Sequence, residues 1–155
     1  IVPHEIDSNH LQIIQEKLKR IGFNPIYFDD ENNLGESRVI IINAIGILAD
    51  LYGYSDLAYI GAGFNAGVHS VIEPAAYANA ISFGPKYQIV DMAVNLVDLK
   101  LARVINSIND FTLFLDLLDD EDQLTRIKKN MLVYIAEQKV ASENIINKIF
   151  CDEKK

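Results

Sequence analysis

The stretch Tyr59-Ile60-Gly61-Ala62-Gly63-Phe64-Asn65-Ala66-Gly67-Val68-His69-Ser70-Val71-Ile72-Glu73-Pro74-Ala75-Ala76 runs from an apolar segment through a glycine-rich loop into a helical one. This spacing predicts a strand over residues 56–60, a loop, and a helix over residues 72–78. Glycine lets backbone amides approach a phosphate with no Cβ in the way. A helix N-terminus adds unpaired N–H groups and a positive partial charge. Pro74 suits a first helical turn, where its missing N–H costs nothing. Glu73 is placed to accept hydrogen bonds from sugar hydroxyls. The same residues also suit a plain tight turn, with Glu73 merely complementing the helix dipole. The dinucleotide fingerprint G-x-G-x-x-G fails at Ala66.

The flanks repeat the alternation. Asp7 or Ser8 can cap a helix with apolar residues Leu11, Ile14, Leu18 and Ile21, stopped by Gly22. Residues 25–28 read as a short strand and residues 29–37 as an acidic loop. Val39-Ile40-Ile41-Ile42 is a β-branched run of the kind found in a strand covered on both faces. A helix over 47–54 leads to the central motif. A strand over 80–83 stops at Gly84-Pro85, followed by a helix over 88–99 and a strand over 102–105. From Asp110 on the chain is helical, with Leu113, Leu117 and Leu118 on one face and a solvated stretch over 119–129. Helices then run to about Ile149. This pattern predicts an α/β fold, an open, mostly parallel sheet with helices on both faces. Ligands of such sheets bind at the carboxyl ends of the strands. The loops after Pro3, Ile60 and Phe83 are therefore the ones to watch.

Composition narrows the partners. The chain has 155 residues, of which 50% are hydrophobic and 23% charged, so it can build a core without staples. Its 14 Lys and Arg against 22 Asp and Glu give a formal charge of −8, which argues against nucleic-acid binding. No run approaches the ~20 apolar residues that span a bilayer. Ile1-Val2-Pro3-His4 reads as the end of a strand already under way. With no initiator Met, the chain is expected to be a piece of a longer protein, with residues 1–150 as one domain and 151–155 as a frayed tail.

Candidate ligand-binding residues collect at the three loops. They are His4 after the first segment; Gly61, Gly63, Gly67, His69, Ser70 and Glu73 around the glycine loop; and Gly84, Pro85 and Lys86 after the next strand. Each histidine also has an ordinary reading, as a loop-packing or exposed residue, and His10 is expected to face solvent. Lys86 is either an anion contact or a solvated lysine. The histidine spacing matches no metal motif, so no metal is expected. No Ser-His-Asp set or G-x-S-x-G elbow is present, Cys151 is too peripheral for a nucleophile, and residues 119–122 lack the pattern of a calcium loop.

Residues 43–85 resemble the C-terminal, donor-binding half of 3-deoxy-D-manno-octulosonic acid (Kdo) transferases. The likeness is carried by Gly61, Gly63, Gly67, His69, Glu73, Pro74, Gly84 and Pro85 at these spacings, with weaker similarity on both flanks. The resemblance implies a GT-B glycosyltransferase, in which two Rossmann-like domains face each other across a cleft. The C-terminal domain would bind the sugar nucleotide CMP-Kdo, the glycine loop cradling the phosphate and Glu73 contacting the donor sugar. The enzyme would transfer Kdo to a lipid A precursor at the cytoplasmic face of the bacterial inner membrane, in lipopolysaccharide biosynthesis, without a metal or other cofactor. His4 would match a family segment whose arginine is missing here. The general base and the membrane contact would belong to the N-terminal domain, so this chain alone is expected to be inactive.

Several positions depart from the family pattern. Asn43 stands for an aspartate, Ala62 for the middle glycine, Ser70 for an asparagine, Asn79 for a glycine, Met92 for a carboxylate and Lys100-Leu101 for two glycines. Two other readings therefore stay open. One is a GT-B relative using another nucleotide sugar such as a UDP-sugar. The other is a divergent domain that serves as a non-catalytic interaction module.

Overall fold

The computed structural model describes residues 1–29 and 37–151, with side chains described up to residue 139. Most of the acidic loop expected over 29–37 lies outside the described residues, as does the tail after Cys151. The helix reaches Cys151. The chain divides into two compact units, Ile1–Leu48 and Ala49–Lys155.

The first unit opens with α1 (Ser8–Arg20), capped by Asp7, whose carboxylate accepts from the Asn9 and His10 amides. Lys17, Lys19 and Arg20 fill the last turn, where cations offset the unpaired carbonyls. Gly22 ends the helix at φ +91°, and the Phe23 amide reaches back to the Leu18 carbonyl. Two short strands, β1 (Ile26–Tyr27) and β2 (Ile40–Ile41), pair in parallel. Ile1 hydrogen-bonds the other edge of β2. Its backbone nitrogen donates to the Ile40 carbonyl, and its carbonyl accepts from Ile42. Ile41 and Ile42 are buried, as the β-branched run predicted. His10 is half-buried rather than solvent-facing, because α1 turns its Leu11 side inward.

After α2 (Leu48–Tyr52) the second unit builds three parallel strands, β3 (Leu57–Ile60), β4 (Ala80–Phe83) and β5 (Ala102–Val104), in that spatial order. Parallel neighbours need crossovers. α3 (Ile72–Ala76) and α4 (Asp91–Asp98) supply them. Side chains alternate across the strands. Ala58, Ile60, Ile81, Phe83 and Ala102 join a core with Val71 and Ala75, with Ala93 and Leu96 of α4, and with Met131 and Tyr134. Ala80 joins a second cluster with Ile105, Phe114, Leu117 and Ile127. Its helices are α5 (Ile108–Leu115), a 3-10 turn (Asp116–Leu118) and the start of α6 (Glu121–Cys151). Helices thus cover both faces of a parallel sheet. α6 passes the amino ends of the strands, where Lys128 pairs with Asp56 just before β3. The C-terminal helical region is one long helix, not several.

Three details differ from the sequence reading. The helix after the glycine loop stops at Ala76, because Ala78 takes a left-handed backbone (φ +58°) and the Asn79 amide closes onto the Pro74 carbonyl. Leu113 and Leu118 are more than half exposed, whereas Phe114 and Leu117 are buried. The 3-10 turn shifts the phase of the apolar stripe. The left-handed backbone that favours glycine falls at Ala78, one residue before Asn79. Asn79 is itself buried and fully bonded: its amide nitrogen donates to the Tyr52 and Ser55 carbonyls, and its oxygen accepts from the Ser55 hydroxyl. Asn79→Ala would strip partners from a half-buried turn and is expected to cost about 2 kcal/mol in a denaturant melt. A loss below about 0.5 kcal/mol would mean that water replaces the amide.

The residues other than glycine with positive φ are Ala62 (+65°), Ala78 (+58°) and Lys100 (+58°) among the described residues. Ala62 and Lys100 are positions where the resemblance leads one to expect glycine, and Ala78 adjoins a third, Asn79. The backbone keeps a glycine conformation that the side chains disfavour by about 1 kcal/mol each. Ala62→Gly and Ala78→Gly are each expected to stabilise the chain by up to that amount, roughly additively. A double variant that melts no higher than the parent would contradict this strain.

Candidate functional site

The register places Ile60 opposite Phe83 and Phe83 opposite Val104, so three strands end at one edge. The loops after β3 and β4 leave that edge together and are stitched to each other. The Lys86 amide donates to the Gly63 carbonyl at 2.8 Å and the Val68 amide to the Lys86 carbonyl at 2.9 Å. The Lys86 ammonium donates to the Asn65 carbonyl at 2.9 Å. Within the first loop, the Asn65 and Gly67 amides turn back onto the Ala62 carbonyl.

The glycines have different jobs. A Cβ on Gly63 would stand 2.6 Å from the Gly84 nitrogen, and a Cβ on Gly84 would stand 2.6 Å from the Gly63 carbonyl carbon. These two glycines let backbone touch backbone. Gly67 has φ +108° and packs beneath Ile89. Gly61 is exposed, and a Cβ there would meet only the His69 ring at 4.0 Å. Packing therefore explains Gly63, Gly67 and Gly84, and it leaves Gly61 as the exposed position where a side chain would find room.

His69, Ser70 and Glu73 lie exposed on the far side of the loop. The His69 amide lies 3.5 Å from the Gly61 carbonyl, which returns the chain to the start of the loop. The Ser70 hydroxyl accepts from the Ile72 amide at 3.4 Å. It caps α3 because Val71, at the formal cap, offers no oxygen. At five residues α3 is too short for the full helix-dipole effect expected from a helix over 72–78. Glu73 sits in its first turn. Tyr52 was missed by sequence reasoning, since it lies 21 residues from Glu73. Its phenol is held above its ordinary pKa by burial and then by the Glu73 carboxylate. Gly84 is buried and Pro85 half-buried, so Pro85 shapes the turn. His4 lies exposed at a bend of the first unit.

In that first unit, Glu5, Asp7 and His10 carry potential metal-ligand atoms within 4.8 Å of one another. One Asp7 oxygen is already engaged in capping α1. In the second unit Gly61, His69, Ser70, Glu73 and Lys86 are exposed on the loops at the carboxyl edge of the sheet, and Gly63, Gly67 and Gly84 are buried beneath them, so the rim offers an imidazole, a hydroxyl, an ammonium and a carboxylate. Such a rim can hold an anionic group against the loop and a polyol against the carboxylate.

No protein-family model matches the chain. It is 28% identical over 153 residues to a bifunctional glycosyltransferase/methyltransferase of Fusobacterium nucleatum, covering 96% of this chain and 23% of that protein. It is 28% identical over 144 residues to the 3-deoxy-D-manno-octulosonic acid transferase of Chlamydophila psittaci, covering 90% and 33%. It is 33% identical over 86 residues to the enzyme of the same name from Aquifex aeolicus, covering 55% and 23%. The chain thus spans only 23% to 33% of the length of these curated relatives. Among solved structures it matches the C-terminal CMP-Kdo binding domain of WaaA from Acinetobacter baumannii, with a TM-score of 0.65 and 16% identity, over 84% of this chain and 72% of that one. At that identity the likeness carries the fold. The chain is a relative of the 3-deoxy-D-manno-octulosonic acid transferases, glycosyltransferases whose GT-B C-terminal domain has this architecture.

Proposed function

We propose that this chain is the donor-binding part of a Kdo transferase and takes CMP-Kdo at the rim formed by residues 61–73 and 84–86. The observation that supports it most is Gly61. A Cβ there would meet only the His69 ring at 4.0 Å, so the exposed backbone at the carboxyl edge of the sheet leaves room for a ligand, while the neighbouring glycines are consumed by packing. In this reading the phosphate of the nucleotide rests on the Gly61 side of the loop, His69 donates to it, and Glu73 accepts from donor hydroxyls. Lys86 acts from behind, holding the Asn65 carbonyl and hence the loop. The acceptor, a lipid A precursor at the inner face of the bacterial inner membrane, and the general base are assigned to the remainder of an enzyme of the relatives' length. Among the described residues no helix is long and apolar enough to cross a membrane, so membrane contact is assigned to that remainder as well.

Nucleotide preference tests this reading. A thermal-shift titration with CMP and UMP should show stabilisation by CMP at about millimolar concentration and at least fivefold weaker stabilisation by UMP. The reverse preference would reassign the donor to a UDP-sugar. Indifference to both would remove the proposed donor role from this chain. With CMP-Kdo and a lipid A precursor, this chain alone should give no transfer.

A further inference from the structure

A cavity of about 580 Å³ opens in the second unit, lined by Val97, Leu99 to Arg103, Gln123, Arg126, Ile127 and Asn130. Leu101 and Ala102 enter β5, so the cavity lies at the amino end of that strand. The glycine loop leaves the carboxyl end of β3, and the strands are parallel. The two sites therefore lie at opposite edges of the sheet. The volume falls within the ~300–1,000 Å³ typical of small-molecule pockets.

Its chemistry runs against the composition of the chain. The formal charge is −8, yet the lining carries Lys100, Arg103 and Arg126 and no carboxylate. Arg103 is held in place by neutral partners, donating to the Leu113 carbonyl and to the Gln123 side-chain oxygen. The ion pairs among the described residues are Arg20–Glu16 and Lys128–Asp56, so none of the three cations is neutralised in a salt bridge. Asp122 stands one turn before Arg126 on α6 and makes no ion pair with it. The lining is more polar than apolar, and its apolar part comes from the largely buried Leu101, Ala102 and Ile127.

Lys100 supplies an independent observation. It closes α4 in a left-handed conformation, the Leu101 amide bonding the Leu96 carbonyl. Glycine is the residue that suits this position. Lys100 thereby stands at the lining of the cavity, fixed by the end of α4.

We propose that this cavity binds a small anionic molecule with a compact apolar body, a phosphate monoester of an aromatic or short alkyl group. Arg103 is the fixed cation, and Lys100 and Arg126 close over the anion from the rim. The apolar part rests on Leu101, Ala102 and Ile127, and Asn130 supplies an amide to the polar edge, while Gln123 is engaged by Arg103 and Asp120. This site is independent of the nucleotide reading.

The test is an amide-resolved NMR titration of the 155-residue chain with 1-naphthyl phosphate, and with 1-naphthol and inorganic phosphate as separate arms. Shifts are expected at residues 97–103 and 123–130, saturating at about millimolar concentration, with each partial probe at least tenfold weaker. Lys100→Gly removes the charge and relieves the backbone, so it should bind at least about fivefold more weakly while melting no lower than the parent. Arg126→Gln, on an exposed helical turn, should weaken binding similarly. Naphthol binding as well as its phosphate, Lys100→Gly and Arg126→Gln binding like the parent, or shifts confined to residues 61–86 would each overturn the proposal.

Discussion

Gly63→Ala is expected to destabilise the second unit by about 4 kcal/mol, at the top of the range for overpacked positions. The added methyl would stand 2.6 Å from the Gly84 nitrogen and 2.8 Å from its Cα. Both are backbone atoms, so no rotamer change can make room. The loops after β3 and β4 would have to separate. Separation would break the Lys86 amide's bond to the Gly63 carbonyl and strain the neighbouring bond from Val68 to Lys86. At roughly 2–4 °C per kcal/mol for a chain of this size, the midpoint should fall by about 8–16 °C. Gly84→Ala should behave alike, since its methyl would meet the Gly63 carbonyl from the other side. A Gly63→Ala chain melting within about 2 °C of the parent would show that the loops are not in contact.

Gly61→Ala should do the opposite, sparing the fold and removing the ligand. Its backbone is outside the left-handed region, and the only neighbour of the new methyl is the His69 ring at 4.0 Å. Stability should change by less than about 1 kcal/mol. If the Gly61 amide faces the phosphate of a nucleotide, the methyl occupies the approach path, and CMP affinity should fall at least tenfold, about 1.4 kcal/mol. Glu73→Ala, exposed on the same rim, should weaken binding of a donor that carries its sugar more than binding of CMP alone, because its partners are sugar hydroxyls. Gly61→Ala binding CMP like the parent would move the phosphate elsewhere.

These paired glycines show how far the sequence could be read. Strand β4 was legible to the residue, because Ala80-Ile81-Ser82-Phe83 is buried throughout and Gly84-Pro85 stops it. α1 was legible because Asp7 caps it and Gly22 ends it. The glycine loop was found, but not the division of labour within it. Gly63 and Gly84 lie 21 residues apart, and only the parallel register of β3 and β4 brings them together. Ala62 and Lys100 were seen as departures from a pattern, and Ala78 adjoins a third, Asn79. Alanine and lysine carry no local mark of a left-handed backbone. Leu113, Leu117 and Leu118 were read as one helix face, yet only Leu117 is buried, because the 3-10 turn breaks helical periodicity. The basic cavity was not legible at all. Its cations come from the end of α4, from β5 and from α6, and α6 meets them only through the packing of the whole unit.

The loops after β3 and β4 are proposed to form a nucleotide-phosphate site. Its most direct test is an amide-resolved NMR titration of the chain with CMP to about 10 mM, enough to detect half of a two-domain cleft. The expected result is a saturable shift that is largest at Gly61, with smaller ones through residues 67–73 and 84–86. Silence across residues 61–86, with or without shifts elsewhere, would contradict it.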